Sequence, residues 1–237
     1  MNAFMENIHG LDKSKGLDLI LHTPGGDLSA TEQIIKYLMS CFKGDVRAII
    51  PQMAMSAGSM IAVSCKSVIM GRQSSLGPFD PQLNGVPCQS ALREFYKAVD
   101  DVSKNPASLG LWQAILSKLN PTFLTLCTQA DQLADELTEK ILKDKDIAPE
   151  IKAKIKNTFA KNEDSKTHSR HFDRDKCKEA GLDVIDLEAD NELQDLVLSI
   201  HHCCMILAEQ TSVIKVVENN IGGCYVRHAN LPVPSQS

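Results

Sequence analysis

The sequence lacks the features that mark several large classes of proteins. Acidic residues outnumber basic ones, with a formal net charge of −5 over 237 residues, so a nucleic-acid partner has no electrostatic support. The eight cysteines contain no C-x-x-C pair and no regular spacing, which indicates reduced thiols rather than a disulfide framework. There is no internal repeat and no low-complexity tract. Together with 43% hydrophobic residues, these absences favour a cytoplasmic globular protein with a substantial core.

A membrane segment is not predicted either. Residues 1–10 are mixed in character and lack the apolar stretch of a signal peptide. Residues 48–65 carry no charge over 18 positions, which is long enough to raise the question of a membrane span. Pro51, Gln52 and the small residues that follow make this segment a poor span. A buried strand followed by a buried helix accounts for it better.

No metal site and no cofactor are predicted. The run of two histidines and two cysteines at 201–204 has the side chains that zinc prefers. Adjacent residues on a helix, however, point about 100° apart, so four consecutive ligands cannot easily surround one ion.

A lone serine lies where an apolar strand gives way to a helix. Residues 46–50 are apolar and β-branched in part, Pro51 ends that run, and Ser56 opens a segment that reads as a buried helix. A helix that begins at Ser56 directs its free N–H groups and the positive end of its dipole toward whatever the hydroxyl attacks. A serine at this position is also a common helix cap, so the motif alone leaves both interpretations open.

A second motif lies upstream, where residues 17–27 read as a buried strand that ends in a Pro-Gly-Gly turn. The helix that follows has apolar residues at helical spacing, and Asp27 or Ser29 is available to cap it. Paired glycines allow backbone conformations in which N–H groups point outward into a cleft. Such N–H groups form the oxyanion hole of acyl-transfer enzymes, although an ordinary turn between a strand and a helix has the same pattern.

Taken together, the two motifs resemble the Clp/crotonase fold and, within it, the serine dehydrogenase proteinase family, a relative of the signal peptide peptidase A group. The resemblance is carried by residues 22–27 (HTPGGD), 54–58 (AMSAG) and 74–82 (SSLGPFDPQ), and more faintly by 178–182 (KEAGL). It implies an α/β fold of stacked βα units with a helical insertion. It also implies a serine peptidase in which Ser56 is the nucleophile and backbone N–H groups near Gly26 and Ala57 bind the oxyanion.

The same resemblance divides the chain into a core at 1–88, a helical insertion at 89–165, a return to the core at 166–229, and a disordered tail at 230–237. Helices are predicted at 90–102, 109–119, 121–143, 149–160 and 173–180. A strand at 182–187 and one long final helix at 192–219 complete the prediction. Relatives usually begin with a further strand, so an exposed sheet edge is expected near residue 17.

The sequence leaves open which residue is the general base that accepts the serine proton. In the signal peptide peptidase A relatives it is a lysine several tens of residues after the serine, and Lys97, flanked by aromatic and apolar residues, matches that position. Burial would favour the neutral amine that a base requires. Clp proteases use a histidine and an aspartate instead. Near those positions this chain carries Asp80 and the histidines His168 and His171, so an Asp80/His171 pair is the alternative.

The predicted function is that of a cytoplasmic serine endopeptidase acting on peptides or unfolded proteins. The apolar content of residues 109–142 predicts a homo-oligomer. Two other classes remain: a crotonase-like acyl-CoA enzyme, which uses the same oxyanion hole but has no need of Ser56, and a catalytically silent scaffold. The sequence gives no indication of an ATPase partner.

Overall fold

The computed structural model describes residues 1–160 and 170–229. The predictions for His168 and for the tail at 230–237 lie outside those ranges. Within them, nine α-helices and eleven strands follow one another along the chain. In chain order they are α1 (Asn2–Ile8), β1 (Leu17–Ile20), α2 (Leu28–Cys41), β2 (Val46–Ile50), β3 (Met53–Ala54), α3 (Ala57–Ser64), β4 (Ser67–Met70), β5 (Ser75–Leu76), β6 (Gln82–Leu83), β7 (Val86–Pro87), α4 (Cys88–Lys104), α5 (Leu109–Leu116), α6 (Phe123–Lys143), α7 (Pro149–Ala160), β8 (Phe172–Asp173), α8 (Arg174–Ala180), β9 (Val184–Asp186), α9 (Asn191–Gln210), β10 (Val213–Glu218) and β11 (Cys224–His228).

The main sheet is parallel and has the order β1-β2-β4-β9. Strands β2 and β4 are almost entirely buried, as expected for central parallel strands with helices on both faces. Strand β1 forms one edge of this sheet. The alternation of strands and helices confirms the predicted α/β class.

A second, smaller sheet lies at the carboxyl end of the main one. Strand β3 pairs in parallel with β5, which pairs antiparallel with β8. Thr23 joins this sheet through a bridge to Ala54. The chain leaving β1 and the chain leaving β3 therefore run side by side, which brings the two sequence motifs together.

Helices cover both faces of the main sheet. On one face, α2 begins at Asp27, whose side chain accepts a hydrogen bond of 2.8 Å from the Ala30 N–H, so the capping residue is Asp27 rather than Ser29. Helix α3 packs against α2 and is buried along nearly its whole length. On the other face, Leu193 and Val197 of α9 pack on apolar side chains of the sheet.

The helices of the insertion are close to their predicted bounds. Helix α4 begins at Cys88 and α6 at Phe123, each within two residues of the prediction. Helices α6 and α7 share the main hydrophobic core, to which they contribute Ile141, Ile155 and Phe159. Within the described ranges, no helix is both long and apolar enough to cross a membrane.

The predicted final helix at 192–219 is wrong in its last third, from residue 211 onward. Helix α9 ends at Gln210, and an antiparallel hairpin of β10 and β11 follows. Thr211 already has extended dihedral angles of −136° and 179°. The segment after it is rich in β-branched valine and isoleucine, which favour a strand, and the asparagine and glycine residues at 219–223 form the turn.

Candidate active site

Ser56 occupies a strained turn between β3 and α3. Its backbone has φ 50° and ψ −116°, a conformation that is uncommon for any residue other than glycine. Such strain costs of order 1–3 kcal/mol and persists only where the surrounding structure enforces it. A serine on a sharp turn between a strand and a helix is the arrangement that exposes a nucleophilic hydroxyl in many hydrolases. The sequence predicted the position of this serine but not its backbone strain.

The Pro-Gly-Gly turn packs directly against this serine. Gly25 has φ 123°, and a Cβ atom placed on it would lie 2.9 Å from the Ser56 Cβ and 3.5 Å from its Oγ. Gly58 makes a second close approach, since a Cβ there would lie 2.4 Å from the Thr23 Cγ2. Both positions therefore require glycine, and the two motifs fit together only because neither residue has a side chain.

Two backbone N–H groups near Ser56 remain available to a bound acceptor. The Gly25 N–H donates to Thr23 Oγ1 at 3.1 Å, and the Gly58 N–H donates to the Met55 carbonyl at 2.8 Å. Within residues 1–160 and 170–229, the N–H groups of Gly26 and Ala57 make no hydrogen bond. These are the two groups that the resemblance implied for the oxyanion hole.

Ser59 stabilises the turn at Ser56 through two hydrogen bonds of its side chain, a role that the sequence did not predict. Its hydroxyl donates to the Ala54 carbonyl at 2.6 Å and accepts from the Gly77 N–H at 2.7 Å. The residue is fully buried, so both bonds lie away from water and are costly to lose. Ser59 thereby links the end of β3 to the loop after β5.

Lys97 lies on the exposed side of α4. Its ammonium group is 5.3 Å from the centroid of the Trp112 ring, so one aromatic neighbour is present, but the side chain is exposed rather than buried. Of the residues that the structure describes, none forms a hydrogen bond with the Ser56 hydroxyl. Lys97 and Ser56 are therefore not in contact in the single chain.

His171 lies immediately before β8, and its Nδ1 is 2.7 Å from the Ser75 Oγ. Because β3, β5 and β8 are adjacent strands, this histidine is two strands away from the one that leads to Ser56. Asp80 is buried in the loop after β5 and has contacts of its own. His171 thus pairs with Ser75 and not with Asp80, and it does not reach Ser56.

A pair of histidines next to the Pro-Gly-Gly turn was also missed. The rings of His22 and His201 lie with centroids 4.8 Å apart. Burial lowers the pKa of both imidazoles, and the nearby rings of His22 and His202 lower that of His201 further. Their separation along the chain hides this contact from sequence patterns. Within the described part of the chain, no group of three or more potential ligands could hold a metal ion.

The fold and this site define an α/β protein with a strained serine at the start of a buried helix, next to a glycine turn. The family described as ClpP-like SDH-type serine proteinase matches residues 2–213, and the chain belongs to this family. The family match confirms the resemblance inferred from the sequence and the ClpP-like fold.

Two uncharacterized proteins of Methanocaldococcus jannaschii are similar to this chain. MJ1495 is 32% identical over 171 residues, which cover 71% of this chain and 51% of that protein. MJ0137 is 33% identical over 177 residues, which cover 75% of this chain and 56% of that protein. The chain thus spans about half the length of the relatives it matches.

Proposed function

We propose that this protein is a serine peptidase with Ser56 as its nucleophile. The observation that carries the proposal is the strained serine elbow with Gly25 packed against it. The Ser56 Oγ attacks the peptide carbonyl, and the N–H groups of Gly26 and Ala57 stabilise the negative charge on the carbonyl oxygen. The amine leaves with a proton, and water then releases the acyl group from Ser56.

The buried position of α3 strengthens this electrostatic effect. Residues 57–63 are all buried, so the positive end of the helix dipole acts in a medium of low dielectric constant. Oxyanion donors in such sites contribute about 3 to 4 kcal/mol each to transition-state stabilisation. Two free donors and one helix terminus next to Ser56 are the groups that a tetrahedral intermediate requires.

The proposed substrate is an extended polypeptide. A groove of about 1510 Å³ runs along the edge strand β1 and reaches Gly26 and Ala57. Edge strands offer unpaired backbone groups to an extended chain, and alternate side chains can then occupy pockets. A folded protein could not enter in this way, so unfolded proteins or peptides are the expected substrates.

For the general base we propose Lys97, with His171 as the competing candidate. The proposal for Lys97 rests on the resemblance and on the helix that carries it, and it requires α4 to approach Ser56 when the substrate or a second subunit binds. The competing proposal rests on the position of His171 in the sheet that contains β3. It requires the His171 ring to leave the Ser75 hydroxyl.

Assembly into a homo-oligomer is part of the proposal. The insertion exposes several large apolar side chains, of which Leu111 is 63% exposed. The others on the same helices are Leu109, Ile115 and Leu126. Large apolar side chains exposed in one part of the fold favour an interaction site there. Light scattering should therefore give a mass above 26 kDa, and Leu111→Glu should lower it. A 26 kDa species alone at micromolar concentration would contradict this part.

The nucleophile is tested with a fluorophosphonate probe followed by peptide mass spectrometry. Ser56 should be labelled, and Ser56→Ala should lose both labelling and peptide hydrolysis. Because Ser56 makes no capping hydrogen bond through its side chain, the alanine variant should stay within about 0.5 kcal/mol of wild type in stability. Ser64→Ala, at the other end of α3, is the matched control.

Peptide hydrolysis by Ser56→Ala at the wild-type rate would refute the assignment of the nucleophile. Hydrolysis of acyl-CoA thioesters by the same variant would indicate crotonase-like chemistry instead. The absence of both labelling and hydrolysis in wild type would favour the scaffold.

The base is tested by two substitutions compared side by side. Lys97→Arg should be nearly inactive, because a guanidinium stays protonated and cannot accept the serine proton. His171→Gln should retain activity and lose only the bond to Ser75. The reverse result, an active Lys97→Arg and an inactive His171→Gln, would assign the role to His171.

A further inference from the structure

The contact between His22 and His201 continues the packing of α9 on the main sheet. Leu193, Val197 and His201 are four residues apart on α9 and so lie on one face of the helix. Leu193 and Val197 meet a cluster that includes Ile20 of β1. His22 follows Ile20 by two residues and therefore faces the same side. The two imidazoles lie at the end of this interface. His22 directly precedes Thr23, which bridges to Ala54 of β3, the strand that leads to Ser56.

No opposite charge balances this pair. The groups that face it are His202, whose ring centroid is 5.8 Å from that of His201, and the two imidazoles themselves. Among the described residues, no carboxylate forms an ion pair or a hydrogen bond with either ring. The Nδ1 atom of His22 is buried without a hydrogen-bond partner. A proton on buried His201 or on the buried Nδ1 of His22 would therefore have no compensating charge and would repel the other ring.

We propose that the neutral His22–His201 pair positions the Pro-Gly-Gly turn, and that protonation of the pair at acidic pH displaces the turn together with its Gly26 donor. The inference rests on the proposed function for its effect on catalysis. His22 and His201 are positioning residues in this scheme: both line the groove proposed for the substrate, but their effect on the reaction runs through the turn.

The direction of the two pKa shifts determines how the histidine pair responds to pH. Both histidines have a lowered pKa in the folded protein because of burial. The folded pair therefore stays neutral at the ordinary pKa of histidine, and the ring contact is lost only as the pH falls further, through the lowered pKa of the folded state. The turn follows directly, because His22 is covalently linked to Thr23, whose hydroxyl accepts the Gly25 N–H at 3.1 Å.

The structural test uses nuclear magnetic resonance of the full chain as the Ser56→Ala variant, so that it does not depend on activity. The rings of His22 and His201 should titrate in two separate steps, as interacting groups do. The amide signals of Gly25 and Gly26 should shift with those steps. In His201→Gln, His22 should titrate in a single step that the glycine signals follow, and in His22→Gln the step of His201 should move to higher pH, because the charge of His22 no longer lowers its pKa. His202→Gln is the matched control, with a smaller effect expected because its side chain is exposed.

The kinetic test measures kcat and KM for a peptide across the same pH range. At acidic pH kcat should fall about 100-fold, as for the loss of one oxyanion donor, with KM changed much less. The midpoint of that fall should move upward in His22→Gln, where the charge of His22 no longer lowers the pKa of His201, and His201→Gln should leave a single step that belongs to His22. A purely structural role would change stability without moving the midpoint.

The proposal and the peptidase assignment can fail separately. Independent titration of the two rings, or glycine signals that stay fixed while the rings titrate, would overturn the proposal even in an active peptidase. Coupled titration with a moving turn would support it even if no peptide were hydrolysed, and the failure would then lie with the proposed function.

Discussion

Replacing Gly25 by alanine tests whether the glycine turn and the serine elbow are as close as the structure shows. The added Cβ meets the Ser56 Cβ at 2.9 Å and the Met55 carbonyl oxygen at 3.2 Å, distances at which atoms must move apart. The residue also has φ 123°, which an L-amino acid rarely adopts. Two separate costs therefore act on one substitution.

General magnitudes give the free-energy cost of each effect, and a second glycine separates the two. Strain of this kind costs about 1 to 2 kcal/mol, and an overpacked methyl group typically costs about 1 to 3 kcal/mol. We expect Gly25→Ala to lower the free energy of unfolding by about 2 to 5 kcal/mol. Gly44 has φ 79° and nothing within 4 Å of its added Cβ. Gly44→Ala should therefore show the strain alone, about 1 to 2 kcal/mol.

Urea unfolding followed by far-ultraviolet circular dichroism gives both values. Fluorescence of Trp112, the single tryptophan, follows the insertion separately, and coincident transitions would justify a two-state treatment. Fluorophosphonate labelling of Ser56 in the folded fraction should also slow at least about tenfold, since small misplacement of a reacting group is costly. Equal stability of Gly25→Ala and Gly44→Ala would refute the close approach of Gly25 to Ser56.

Three further predictions concern parts of the protein away from the turn. Lys145 donates to the Cys65 carbonyl at 2.5 Å, so Lys145→Met should cost about 1.5 to 3 kcal/mol in urea unfolding, whereas Lys143→Met, at an exposed position, should cost little. The pKa of Glu188 is lowered by the hydrogen bond from the Arg72 N–H and by the charge of Arg174. Its contribution to stability is thus fully present above its ordinary pKa of 4.5 and is lost below that value, as the pH falls through the lowered pKa of the folded state, and Glu188→Gln should flatten that part of the stability profile. In a thiol titration of the native protein, rapid reaction is expected at the two exposed cysteines, Cys203 and Cys224.

The sequence predicted the elements whose patterns are long and local. The strand before the Pro-Gly-Gly turn, a helix cap at Asp27 or Ser29, and the helices of the insertion follow from apolar periodicity and from residues that begin or end helices. Strands β3, β5 and β8 have two residues each, which is too short for any period. The small sheet that lies next to Ser56 and His171 could therefore not be predicted from periodicity.

The remaining misses have a common cause in long-range contact. Residues 213–218 lack a clean alternation, and they become a strand because they pair with residues 224–228. The contact between His22 and His201 joins residues far apart in sequence. The burial of α3 was predicted from its uncharged, apolar sequence and is confirmed. The strain at Ser56 cannot be deduced from the local sequence, since it depends on packing from distant segments.

Helix α3 shows how the insertion is connected to the candidate active site. Its amino end carries Ser56 and the free Ala57 N–H, and its carboxyl end receives the Lys145 ammonium group at the Cys65 carbonyl. Burial lowers the pKa of Lys145, yet a cation at this end favours the helix dipole that also acts at Ser56. Lys145 follows α6, which packs against α3. Helix α4 packs against α6 as well, so a shift of the insertion would reach Ser56, the proposed nucleophile, through α6 and α3.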